Sequence, residues 1–109
     1  MISDEQIEAA LDYLAKNVEA SAKARAEKIY MVEYRKTVKA ELMNKCNEST
    51  EGARERFAYS HEDYKEHLDA MRTAIEIDAK CEFRRAAYNA TIEAWRTQQA
   101  NERTIGKIG

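Results

Sequence analysis

Six basic side chains crowd between residues 23 and 39: Lys23, Arg25, Lys28, Arg35, Lys36 and Lys39, opposed there only by Glu27 and Glu33. Tyr30 and Tyr34 are interleaved with them. Cations among aromatic rings can follow a phosphate backbone while bases stack on the rings, which is the chemistry of single-stranded nucleic-acid binding. The pattern equally fits a solvated helix face beside a tyrosine-lined core, and the formal net charge of -2 favours that plainer arrangement. Arg84 and Arg85, with Arg96 and Arg103, add a second basic group suited to phosphate or carboxylate.

Metal chemistry has less to work with. His61 and His67 are six residues apart, which on a helix is about 240° of rotation, so one helix cannot chelate a metal with both. His67 and Asp63 share a face, with Glu66 beside them, but a zinc site needs further ligands. The expected arrangement is a solvated capping cluster, with no metal and no cofactor. There is no Ser-His-Asp pattern and no Gly-rich phosphate loop. The carboxylates are spread along helices, and Glu19 with Lys23 and Glu41 with Lys45 sit at ion-pair spacing. Enzymatic activity is not expected.

The elements that position these residues read as long helices. Charged residues make up 35% of the chain and there is no proline, a composition that favours exposed helices over sheet. Ser3 with Gln6 forms a capping-box spacing, and Ile7, Leu11, Leu14 and Val18 then trace a heptad-like seam. Ala20, Ala22, Ala24 and Ala26 follow; they allow either a close helix approach or a thin solvated rod. Apolar residues return at Ile29 to Val32, and the helix should fade near Cys46-Asn47. It would run roughly 40 residues, about 60 Å, so a kink or break inside it is expected. Thr50 should cap a short helix from Glu51 to Ala58, with Phe57 docking between the long helices.

The second long run starts at Ser60, a plausible N-cap, with Tyr59 and Tyr64 at staple spacing. Its apolar residues form two stripes. One is Tyr64, Leu68, Met71, Ile75, Ala79, Phe83, Ala86 and Ala90; the other is Ala74, Ile77, Cys81, Tyr88, Ile92 and Trp95. A surface helix needs one stripe, so the second implies another neighbour. Ile77, Cys81, Tyr88, Ile92 and Trp95 are therefore candidates for a dimer or partner interface. The resulting fold is all-α: a long antiparallel hairpin with a short connecting helix, pairing into a dimeric four-helix assembly. Residues 1–103 should form one domain and residues 104–109 a frayed tail.

Cys46 and Cys81 lack Cys-x-x-Cys spacing and read as reduced thiols. No apolar run approaches the ~20 residues of a membrane span, and the acidic N-terminus lacks a signal-peptide core. A soluble protein of the cytoplasm is expected.

Several segments carry a resemblance. Leu11-Asp12-Tyr13-Leu14, Ala24 to Tyr30, Glu33-Tyr34-Arg35-Lys36, Tyr59-Ser60-His61 with Glu66-His67-Leu68, and above all Ile92 to Asn101 resemble a group of small tailed-phage and prophage proteins. The resemblance covers most of the chain. It implies genes lying among phage replication and recombination genes, hence a role near DNA metabolism, and it transfers no catalytic residue. The expected function is that of a non-enzymatic phage accessory protein acting through helix-mediated contacts with an unidentified phage or host protein. Direct binding of single-stranded nucleic acid through residues 23–39 is the alternative.

Overall fold

The computed structural model describes residues 1–108, and among these it holds four α-helices and no strand. Helix α1 spans Asp4–Lys16. The Ser3 hydroxyl accepts from the Gln6 N–H at 3.1 Å, and the Gln6 side chain accepts from the Ser3 N–H at 2.8 Å. Two backbone donors that no helical carbonyl can reach are thereby satisfied. Ser3→Ala should cost about 0.5–2 kcal/mol, read as a lower thermal midpoint with the helical signal otherwise unchanged.

Helix α2 spans Val18–Lys45. The first long run breaks, as its length predicts, at Asn17, whose φ of -106° and ψ of 16° depart from helical values. The Asn17 N–H and Nδ2 both donate to the Tyr13 carbonyl, at 3.0 and 3.1 Å. The Asn17 carbonyl accepts from the Ser21 N–H at 3.0 Å, so the bend keeps backbone pairing on both sides of it. An asparagine amide that competes for a backbone carbonyl is a recognised cause of a kink.

Helix α3, Glu51–Ser60, begins where Thr50 Oγ1 accepts from the Ala53 N–H at 3.2 Å, as expected. Its Arg54 donates Nε and Nη2 to the Met43 carbonyl at 3.3 and 3.0 Å, beside the Cys46 N–H that donates to the same carbonyl at 3.3 Å, and so ties α3 to the end of α2. Ser60 does not cap the next helix. Its hydroxyl donates back to the Arg56 carbonyl at 2.7 Å and so closes α3. The starting role falls to His61, whose Nδ1 accepts from the Asp63 N–H at 3.0 Å at the head of helix α4, Glu62–Ile108. The Tyr59 and Tyr64 rings still meet edge to face, with centroids 5.2 Å apart. Helix α4 continues through Thr104 to Ile108, where a frayed tail was expected; Gly109 lies outside the described residues.

The chain divides into two compact units. One joins Met1–Ala22 to the chain from Lys80 onward. In it the Ile2 N–H donates to the Gln98 side chain at 3.0 Å, and the Tyr13 and Tyr88 rings lie 4.6 Å apart. Rising numbers on α1 meet falling numbers on α4, so the two run antiparallel. Ile7 and Ala10 are buried; Leu14 and Asn17 are half-buried, while Leu11 and Val18 are 54% and 64% exposed. The inward row is therefore Ile7, Ala10, Leu14 and Asn17, not the expected Ile7, Leu11, Leu14 and Val18. Both sets have heptad spacing, and the row containing the smaller Ala10 permits closer helix approach.

The other unit is Lys23–Ala79. Its core is Leu42, Ala58 and Tyr64, with Val38 and Met43 packed against them. Ala58 is fully buried whereas Phe57 is exposed and sets its ring against His61 at 5.5 Å. The expected docking of Phe57 is thus replaced by that of Ala58, one residue on, because an alanine lets α3 sit closer than a phenyl ring would. Ala24 is buried while Ala20, Ala22 and Ala26 are exposed, so the alanine run serves close approach at a single position. On α4 the inward row is Tyr64, His67, Met71, Ala74 and Asp78, alternating steps of three and four. It draws on both expected stripes and leaves Leu68, Ile75 and Ile77 exposed.

Candidate interaction surface

The basic run does not form one face. The helical period places Lys28, Met31, Arg35, Val38 and Leu42 on the same row of α2, and none of these five is exposed. Lys28 Nζ lies 3.0 Å from Asp78 Oδ2, and Arg25 Nε lies 3.3 Å from Asp78 Oδ1. Asp78 is only 3% exposed, a carboxylate inside the helix pairing. The hydrogen bond from Lys28 holds its carboxyl below the ordinary aspartate range; burial pushes the other way and Arg25 adds to the lowering. Lys36 pairs with Glu33 at 3.2 Å, and Lys39 pairs with Glu55 at 3.2 Å while lying 4.9 Å over the Tyr59 ring. Lys23 is exposed and Arg35 half-buried, and neither pairs with a carboxylate among the described residues. Internal ion pairing and an inward helical row divide what the sequence presents as one cationic strip.

The interleaved tyrosines do come together. Tyr30 and Tyr34 stack at 5.6 Å and 18°, and Tyr34 meets the His67 ring at 5.8 Å. His67 Nε2 lies 2.7 Å from the Met31 carbonyl. A carbonyl can only accept, so Nε2 carries the proton and that nitrogen is not offered to a metal. His67 also lines an open groove of about 320 Å³ with Val38, Glu41, Leu42, Lys45, Asp63 and Glu66. Glu41 and Lys45 both line this groove without closing the expected ion pair. Among the described residues no group of three or more His, Cys, Asp or Glu is placed to hold a metal ion. Stacked rings beside carboxylates repel phosphate and suit a cationic or apolar partner.

The five interface candidates separate. Ile77 is half exposed. Tyr88 takes its ring contact from Tyr13 of the same chain. Cys81, Ile92 and Trp95 are half-buried. Trp95 lines a shallow groove with Arg96, Gln99, Ala100 and Arg103. In the second basic group Arg96 pairs with Glu93 at 2.9 Å, whereas Arg84 and Arg85 are exposed and without ion partners among the described residues.

Sequence reasoning passed over Asp78. Its signal is the step of four after Ala74 and seven after Met71, which sets a carboxylate in an otherwise uncharged inward row. No helix among the described residues is long and apolar enough to cross a membrane. Against known proteins the chain matches no family model, no curated protein and no solved structure.

Proposed function

We propose that this chain is a non-enzymatic accessory protein of a phage or prophage. It acts by helix-mediated contacts with other protein chains, in phage DNA metabolism in the host cytoplasm, and two copies pair into a four-helix assembly. The phage setting rests on the sequence resemblance. The contact reading rests on one observation: among the described residues no large side chain is fully buried, while Val18, Ile29, Tyr30, Ile77 and Phe83 are each at least half exposed. Large apolar side chains left in water in this number support a reading in which another chain covers them. Tagged protein recovered from phage-infected cells should retain a partner that an Ile29→Glu, Tyr30→Glu variant loses. A chain that stays a monomer and retains no partner ends this reading.

Nucleic-acid binding is the second reading, favoured by the stacked Tyr30–Tyr34 pair and opposed by the carboxylate partners of Arg25, Lys28, Lys36 and Lys39. Titration with single-stranded DNA and RNA at low salt should show no binding. Affinity that falls steeply with salt, and is abolished by replacing Lys28, Arg35 and Lys36 with Glu, would reverse the order of the two readings.

A further inference from the structure

The proposed pairing leaves open which surfaces two copies bring together. Two faces of the chain complement each other in charge, and each carries an exposed aromatic ring. The first belongs to the unit Lys23–Ala79. It runs from Tyr30 over Tyr34 and His67 into the groove that Glu41 and Glu66 line, a continuity fixed by the ring contacts at 5.6 and 5.8 Å. Glu41 and Glu66 are exposed and have no ion partner among the described residues.

The second face lies on α4 beyond Lys80. Lys80, Phe83, Arg84, Ala87, Ala90 and Ala94 are all exposed, and the helical period places them on one side. Phe83 is 71% exposed, and Lys80 and Arg84 have no ion partner among the described residues. Lys80 and Arg84 stand one turn apart, roughly 6 Å along the axis. The three alanines beyond them leave a smooth strip on which another helix can lie close.

We infer that the Lys80–Phe83–Arg84 face of one copy docks on the Tyr30–Tyr34–Glu41–Glu66 face of a second copy. This rests on the contact reading above and names the surfaces for it. Phe83 covers the exposed tyrosine rings, and the two cations meet the two free carboxylates. Each copy carries both faces, so two copies offer two such contacts. A nucleic acid would be repelled by the same carboxylates.

The test is a charge exchange between tagged and untagged full-length chains, read as co-retention of the untagged copy. Wild type should retain wild type. A Glu41→Arg, Glu66→Arg variant should fail to retain itself, with apparent affinity down by about tenfold or more, since opposed like charges disfavour an interface. A Lys80→Glu, Arg84→Glu variant should fail likewise. Mixing the two variants restores one swapped set of pairs and preserves the other, so co-retention should return. All four sites are exposed, and far-UV circular dichroism checks that the helices persist; Phe83→Ser gives a charge-neutral second route to the same loss. Unaltered self-retention by the variants, or no recovery on mixing, overturns the assignment of these faces. Wild type that never retains itself also overturns it. The wider contact reading is decided separately, by capture from infected cells.

Discussion

Asp78→Ala is expected to lower the thermal midpoint of the protein more than any exposed substitution, and to do so in a pH-dependent way. The substitution strands Lys28, and partly Arg25, without the carboxylate they share at 3.0 and 3.3 Å. Asp78 is buried while Lys28 and Arg25 keep part of their side chains in water, so the loss is that of two charge-assisted bonds to a buried carboxylate. Asp78→Ala with Lys28→Met should regain part of the loss, and the double-mutant cycle isolates the pairing energy.

The sign of the pH effect follows from the direction of the shift. The folded-state carboxyl is held below its ordinary value of 3.8. Its contribution is therefore fully present above that value, and is lost as pH falls from there through the lower folded-state value. Wild type and Asp78→Ala should differ in midpoint at neutral pH, and the gap should narrow only below about pH 4. A gap that is unchanged at pH 2.5, or that closes near pH 6, contradicts the pairing.

Leu42→Ala should be the largest loss from packing alone. Leu42 is 3% exposed at the centre of the cluster with Ala58 and Tyr64, where α2, α3 and α4 meet. Truncation at such a site costs about 2–5 kcal/mol, and each kcal/mol lowers the midpoint of a domain this small by roughly 4–8 °C. Few other large apolar side chains are buried, so little remains to compensate. Urea or thermal unfolding measures it. A change under 1 kcal/mol would place the core elsewhere.

Local features of the fold were legible because they depend on short-range chemistry. Ser3 with Gln6, and Thr50 with Ala53, are bonds across three residues, and the side chains alone determine them. Ser60 carried the same signal and misled, since a serine hydroxyl at the end of one helix and before another can serve either. Its proton went back to Arg56, and the ring of His61 took the start of α4.

The inward rows were harder to read for a different reason. Leu11 and Val18 stand out in the sequence by their hydrophobicity, whereas Ala10 and Asn17 do not. Helix packing instead selects by spacing and by how closely backbones can approach. The basic run counts Lys28 and Arg35 by their charge, whereas the helical period sets them with Met31 and Val38. The Arg25–Lys28–Asp78 cluster joins residues 50 or more apart in the chain, so only the folded arrangement brings them together. The tyrosine ladder was visible as residues, and its junction with His67 and the acidic groove was not.

Sedimentation equilibrium of the unmodified chain over a range of concentrations asks most directly whether its outer apolar faces are covered by a second chain. Self-pairing predicts a mass near twice 12.6 kDa, shifting toward 12.6 kDa as the protein is diluted or Phe83 is replaced by Ser. A mass of 12.6 kDa at every concentration, unmoved by that substitution, would contradict it.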